Sequence, residues 1–212
     1  MRVVKEAAER KNEILDIAER LFNEKGYAQT TVEDIMRECN IAKGTLYYHF
    51  KGKEEILSAM IERQINRREE TMQKIAEDTS ISVVEKLIQV IHLLSNRPMP
   101  EGGSCEQENE ELYQKSFTRT LSRFTDVMTE IVKQGIESGE FSTPYPRESV
   151  ELLFCASQLT DPYVFHWSKE EYEQKKTAFF WMLEITLGIT SDAKKRLYQL
   201  SGMSMAEGEN EL

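Results

Sequence analysis

The feature that most restricts how this chain can fold is the ten-residue segment 41–50, with the sequence IAKGTLYYHF. Drawn as a helix, it places Ala42, Leu46, His49 and Phe50 on one side, at i, i+4, i+7 and i+8 spacing. The other side carries Lys43, Gly44, Thr45, Tyr47 and Tyr48. So short a helix is unstable alone, so neighbours must cover its inner side. The segment therefore predicts a recognition-type helix, about 42–50, whose outer side suits phosphates and base edges. Taken alone, it also fits an ordinary surface helix with half-buried tyrosines.

The residues before this segment predict two more helices. A capping box at 30–33 pairs the Thr30 hydroxyl with the Glu33 carboxylate and starts a helix that ends in a turn at Asn40. An earlier apolar stripe, stopped by Gly26, comprises Ile14, Ala18, Leu21 and Phe22. Helix, tight turn and helix within about 20 residues is the helix-turn-helix arrangement.

Together these residues resemble the TetR family of bacterial transcriptional regulators. The resemblance covers about residues 8 to 60 and rests on Gly26-Tyr27, Thr30-Thr31-Val32, Ile35, the run from Ala42 to Phe50, and Lys53-Glu54-Glu55-Ile56-Leu57. It implies that double-stranded DNA is the partner. In the resembled family, the lysine that matches Lys53 contacts a DNA phosphate.

The resemblance also implies roles for the matching positions. The residues expected to face the major groove are Lys43, Gly44, Thr45 and Tyr47. Those expected to contact phosphates are Thr31, Tyr48, His49 and Lys53. Gly44 is a poor helix former, which makes sense if another backbone must approach closely there.

The charge distribution permits this interpretation. The whole chain of 212 residues has a net charge of −10. Residues 1–53 contain 10 Lys and Arg against 9 Asp and Glu, whereas 54–212 contain 17 against 28. The acidic excess therefore lies outside the helix-turn-helix, where it discourages nonspecific binding to nucleic acid.

The composition argues against an enzyme, a metal site and a membrane protein. The three histidines do not fall at spacings that would join them to a nucleophile or a carboxylate pair, and no Gly-rich phosphate loop or metal-ligand spacing occurs. We predict no cofactor and no metal. Cys39 and Cys155 are expected to fill the core, and Cys105 to lie in a polar loop. Without a secretory signal or an apolar run of about 18 residues, the chain is expected in the cytoplasm.

The rest of the chain predicts helices throughout, so the fold class is all-α: a three-helix DNA-binding domain and a larger helical ligand-binding and dimerisation domain. We place the domains at 1–53 and 54–200, followed by an acidic, disordered tail at 201–212. Capping boxes are expected at 82–85 and 168–171. Predicted helices cover about 53–77, 82–95, 112–135, 147–160, 169–189 and 191–200.

The second domain predicts a homodimer and a ligand. Residues 178–189 are apolar nearly all round, so the helices of about 147–160 and 169–189 are expected to pair with their copies. An apolar pocket for a small-molecule effector is expected to be lined by Phe117, Phe124, Met128 and Trp181, although each also suits a plain core position. The function predicted is a ligand-responsive DNA-binding regulator, most often a repressor in the resembled family. The alternative is a helix-turn-helix protein that is nucleoid-associated or controlled by a protein partner, with no small ligand.

Overall fold

The computed structural model describes residues 7–95, 110–159 and 167–203, and within these ranges the regular structure is helical throughout. The helices are α1 Ala7–Lys25, α2 Val32–Glu38, α3 Lys43–His49, α4 Lys53–Glu77, α5 Val83–Ser95, α6 Glu110–Glu137, α7 Pro146–Gln158, α8 Lys169–Leu187 and α9 Ser191–Ser201. This confirms the all-α prediction. In the described part of the chain, no helix has the length and apolar character needed to cross a membrane.

The described residues form two compact units that divide inside α4, between Arg67 and Arg68. The first unit contains 7–67 and 110–118, and the second contains 68–95, 119–159 and 167–203. The boundary expected from the sequence, after residue 53, coincides with the start of α4. That functional boundary stays a prediction.

The core of the first unit comes from four helices that are individually too short or too polar to be stable alone. Its buried residues include Ile14, Ala18 and Phe22 of α1, Ile35 of α2, Leu46 of α3, and Ile56, Leu57 and Met60 of α4. α1 packs against α2. Arg63 of α4 forms ion pairs with Asp16 and Glu19 of α1, at 2.7 Å each. The first half of α4 is therefore a wall of this unit and is fixed to α1.

In the second unit, α9 packs on α5 and α7 packs on α8. The second half of α4 is held by the buried side chain of Lys86, whose ammonium donates to the carbonyl oxygen of Ala76 at 2.7 Å and to Oε1 of Gln134 at 2.8 Å. A cation at the C-terminal end of a helix stabilises the exposed carbonyls there.

The turn after α6 depends on a glycine. A Cβ atom built on Gly135 would lie 2.1 Å from the ring of Phe141, and the amide of Phe141 donates to the carbonyl oxygen of Gly135 at 2.9 Å. Only glycine leaves room for the ring to fold back over the end of α6. This explains why a glycine lies at position 135, near the end of α6.

Three local predictions are settled by the described residues. The capping boxes at Ser82 and Ser168 form as expected, with Glu85 and Glu171 as their acidic partners. The box at Thr30 and Glu33 is wrong by one residue, because Thr31 caps α2 and pairs with Asp34.

The prediction for Cys39 is confirmed, since its side chain is buried, but that for Cys155 is wrong. The apolar residues of α7 extend around the helix, and Cys155 falls on its exposed side. Cys105, and most of the tail predicted to be disordered, lie outside the described residues.

Candidate DNA-binding site

The helix-turn-helix begins at a turn organised by two adjacent threonines. Thr30 is fully buried, and its hydroxyl lies 2.8 Å from the carbonyl oxygen of Gly26 and 3.2 Å from that of Leu21. It therefore fixes the end of α1 to the start of α2. The hydroxyl of Thr31 accepts the amide of Asp34 at 3.1 Å and donates to its carboxylate at 2.7 Å.

These bonds hold the Asp34 carboxylate in its charged form. The hydroxyl and then the amide of Thr31 donate to it, and together they lower the pKa of Asp34 to about 2. Arg37 also pairs with this carboxylate. Both donors of Thr31 thus point to Asp34, so a phosphate at Thr31 would compete with the cap of α2.

α3 is fixed from its inner side. Leu46 is fully buried and Phe50 is nearly so, whereas Ala42 caps the helix from an exposed position instead of joining the apolar side. Asn40 supplies the turn with a φ of 51°, in the left-handed region that asparagine tolerates. The inner contacts set the direction in which the other residues of α3 project.

The outer side of α3 is open, as the sequence predicts. Tyr48 is 78% exposed and Tyr47 is 45% exposed. The ammonium of Lys43 lies 5.8 Å from the ring centroid of Tyr47, one helical turn away. Tyr48 and His49 meet edge to face, with ring centroids 5.0 Å apart. One lysine and two phenols therefore lie on one exposed surface, together with the half-buried His49 and Thr45.

Gly44 leaves this surface open at its middle. Apart from Gly44, its two chain neighbours and the backbone of α3, no atom of the described residues lies within 4 Å of a Cβ built on Gly44. The close approach that the sequence suggested is therefore not made by the protein itself, and the space is available to a partner.

Lys53 lies at the first residue of α4 and is tied to the start of the helix-turn-helix. Its ammonium donates to the carbonyl oxygen of Tyr27 at 2.8 Å and lies 4.2 Å from the centroid of the Tyr27 ring. The amide of Lys51 donates to the Glu55 carboxylate at 2.6 Å, which closes the loop between α3 and α4.

One cation beside α3 was missed by the sequence reasoning. The ammonium of Lys11 on α1 lies 5.6 Å from the ring centroid of Phe50, next to the C-terminal end of α3. These residues are 39 positions apart, so no local pattern joins them. The sequence signal for Lys11 was its positive charge, which does not distinguish it from the many other lysines on the surface.

The comparisons with known proteins agree with this geometry. The family model for "Bacterial regulatory proteins, tetR family" matches residues 14–60, and that for "Tetracyclin repressor-like, C-terminal domain" matches 104–182. The chain is 30% identical over 134 residues to the fatty acid metabolism regulator protein of Bacillus subtilis, covering 60% of this chain and 69% of that protein. The chain belongs to the TetR family.

Two other relatives and one solved structure are also transcriptional regulators. The chain is 29% identical over 130 residues to the biofilm operon icaADBC negative regulator IcaR of Staphylococcus aureus strain Newman, covering 55% of this chain and 69% of IcaR. A 43% identical match over 70 residues takes in 33% of this chain but only 24% of YerO, an HTH-type regulator of B. subtilis. A transcriptional regulator from Cytophaga hutchinsonii shares the fold, with a TM-score of 0.67 and 20% identity over 84% of this chain and 96% of that one.

TetR-family proteins are transcriptional regulators that bind DNA through a helix-turn-helix, which α2 and α3 provide here.

The second TetR-family model covers α8 to residue 182, and α8 carries apolar residues on both sides. Phe180, Leu183 and Leu187 are buried, whereas Trp181 and Ile185 are more than half exposed. Leu152 on α7 and Leu159, the residue directly after α7, are exposed at 68% and 58%. We call these four exposed residues, Leu152, Leu159, Trp181 and Ile185, the α7–α8 apolar surface.

The four residues predicted to line a ligand pocket have different environments. Phe117 is half-buried and belongs to the first unit, whereas the other three belong to the second. Phe124 is fully buried, Met128 is half-buried and Trp181 is exposed. Their assignment to a pocket stays a prediction. Within the described ranges, no group of three or more His, Cys, Asp or Glu side chains could hold a metal ion.

Proposed function

We propose that this TetR-family protein is a homodimeric repressor that binds a palindromic operator and releases it when a small apolar or amphipathic ligand binds. The observation that carries the proposal is the outer side of α3, where phenols and a lysine are exposed above a helix whose inner side is buried. Acting on bacterial DNA, such a protein would work in the cytoplasm, as the sequence predicts.

In this proposal the exposed residues of α3 divide into two groups. Lys43, Gly44, Thr45 and Tyr47 enter the major groove, and Tyr48 and His49, with Thr31 and Lys53, contact phosphates. Bidentate donors and hydroxyls read base edges, whereas phosphate contacts fix the register of the helix on the duplex. The empty space above Gly44 supports the first group, because the helix can come close to the DNA there.

The dimer is proposed to form through α7 and α8. Four large apolar side chains are exposed on these two helices or directly after α7, and water is a poor environment for them. A second copy would cover them and give a four-helix arrangement around a two-fold axis. Two helix-turn-helix motifs would then contact two half-sites, which supplies the contact area that one motif lacks.

Repression and ligand release rest on two further observations. The IcaR relative is named as a negative transcriptional regulator, which supports repression here. α4 runs unbroken from Lys53 to Glu77, so it begins at the proposed phosphate contact and ends at the Lys86 and Gln134 side chains. Its 25 residues span about 37 Å. A ligand near Phe124 and Met128 would change DNA binding through this helix.

A selection from random double-stranded DNA tests the proposal, and it can be done before any operator is known. The purified protein should enrich one palindromic sequence with two half-sites separated by a helical turn or more. Enrichment of no sequence, or binding that depends only on DNA length, would support the nucleoid-associated alternative and contradict the proposal.

The ligand-dependent step has its own test. A typical coupling of about 1–3 kcal/mol would weaken operator binding roughly 5- to 150-fold. Because coupling is reciprocal, the selected operator must weaken binding of the ligand by the same factor. A small molecule found by thermal-shift screening should be titrated by calorimetry with and without operator. Equal affinity in the two titrations would rule out this regulation.

A further inference from the structure

The side chain of Lys53 occupies a position that is unfavourable for a lysine. It lies in the first turn of α4, where the positive end of the helix dipole disfavours a cation. Within the part of the chain that the structure describes, its ammonium contacts Tyr27, a residue of the preceding motif. The carbonyl oxygen of Tyr27 accepts a hydrogen bond at 2.8 Å, and the centroid of its ring lies 4.2 Å away. Both distances are within the ordinary ranges for a hydrogen bond and a cation–π contact.

Tyr27 itself is held firmly. Its ring meets the ring of Phe22 edge to face at 5.1 Å, and Phe22 is fully buried. Its carbonyl oxygen also accepts the amide of Thr30 at 3.2 Å, and the Thr30 hydroxyl anchors the same turn to Gly26. Tyr27 thus fixes the position of the Lys53 ammonium relative to the core of the helix-turn-helix, although Tyr27 and Lys53 are 26 positions apart.

We propose that Tyr27 is a positioning residue for DNA binding: its carbonyl and its ring hold the Lys53 ammonium in place in the free protein, ready for a phosphate. This inference rests on the proposed function, in which Lys53 contacts DNA. An ammonium has three N–H donors, and Tyr27 takes one of them. The other two suit a phosphate oxygen. Lysine normally loses much rotamer freedom when it binds, and restraint by Tyr27 removes part of that loss beforehand.

The expected effect of removing the ring is moderate and specific. Y27L keeps the main-chain carbonyl but removes the cation–π contact, so operator affinity should fall about 5-fold per half-site, the size expected for one released side chain. Y27F keeps both the ring and the carbonyl and is the matched control, with affinity unchanged. K53A should lower the slope of log K against log salt by about 0.9 per half-site, since one phosphate contact is lost. Y27L should leave that slope unchanged.

The decisive comparison is the double variant. If Tyr27 acts through Lys53, Y27L should cost no further affinity in the K53A background. The affinities of the unmodified protein, Y27L, K53A and the double variant should be measured by fluorescence anisotropy on the selected operator at several salt concentrations. A full, additive loss in the double variant would overturn the inference, because Tyr27 would then act only through the fold.

A second measurement is made without DNA and does not depend on whether the Y27L variant folds. In NMR spectra of the free protein labelled on lysine side chains, the Lys53 signals should be shifted upfield by the Tyr27 ring and identified by their absence in K53A. Unshifted signals in the unmodified protein would overturn the inference. Shifted signals in a protein that selects no DNA sequence would instead leave the contact intact and contradict the proposed function alone.

Discussion

Two surfaces of this protein expose large side chains, and their chemistry differs. The outer side of α3 exposes Tyr47 and Tyr48, which carry hydroxyls and stand beside Lys43 and His49. The α7–α8 apolar surface exposes Leu152, Leu159, Trp181 and Ile185, which offer hydrocarbon and an indole. Exposure alone therefore does not identify a partner.

The difference concerns what water does at each surface. Phenols, lysine and imidazole remain hydrated, so the α3 surface is stable without its partner, and binding there exchanges ions and water for phosphates and bases. Aliphatic side chains gain by leaving water, roughly 1.5–3 kcal/mol for each leucine or isoleucine that becomes buried. We therefore expect a permanent partner at α7 and α8 and a reversible one at α3.

The largest expected effect comes from placing a charge on the apolar surface. I185E would bring two carboxylates together in a symmetric dimer and force them out of water. We expect a monomer at about 10 µM by sedimentation velocity and a loss of operator affinity of about 100-fold or more. L200E is the matched control, since Leu200 is also exposed but lies on α9. A dimeric I185E protein would show that the surface has another role.

A smaller effect is expected from substitutions on the outer side of α3, and it should be a change in the preferred DNA sequence. K43A and Y47A remove proposed contacts to bases, each of which discriminates by about 1–3 kcal/mol. The selection from random DNA should then lose its preference at one position of each half-site, while the dimer persists. K74A serves as a control, because Lys74 is an exposed lysine on the second half of α4. Uniform weakening with an unchanged preference would place Lys43 and Tyr47 on phosphates instead.

The smallest effect concerns the caps of α2, the helix that precedes α3, and of α8. Hydrogen bonds from Thr31 lower the pKa of Asp34 from an ordinary 3.8 to about 2, so its contribution to stability is present above the ordinary pKa and is lost as the pH falls through the lowered one. Hydrogen bonds from Ser168 lower the pKa of Glu171 on α8 in the same direction.

Urea unfolding between pH 5 and 2.5 measures these contributions. The stability difference between the unmodified protein and D34N should shrink as the pH falls, and E171Q should behave similarly on α8. A difference that is independent of pH would mean that the carboxylate charge does not contribute.

Much of this architecture was predictable because its signals are local. The bounds of α4, the turn at Asn40 and the caps at Ser82 and Ser168 follow from residues within a few positions of one another. The capping box of α2 was misplaced because both threonines are followed three residues later by an acid, Glu33 or Asp34. Only the tertiary structure decides between them, since Thr30 is drawn into the core by the carbonyl oxygens of Leu21 and Gly26.

The parts of the site that were missed are nonlocal. Nothing near Lys53 in the sequence points to Tyr27, and nothing near Lys11 points to Phe50. Cys155 was misjudged because α7 has more apolar residues than its inner side can bury, so its apolar pattern does not distinguish that side. Periodicity predicts a helix well, but it identifies the buried side only when the other side is polar.

The continuity of α4 also sets how this protein could be recombined with others. Ile56, Leu57 and Met60 belong to the core of the DNA-binding unit, although they follow the helix-turn-helix in the chain. In a chimaera joined after residue 53, the helix-turn-helix would pack against the first half of a foreign α4 instead of its own. A junction at Arg67 would carry Ile56, Leu57 and Met60 across, together with the ion pairs that Arg63 makes with Asp16 and Glu19. The smallest module worth transferring is therefore the helix-turn-helix with the first half of α4 attached.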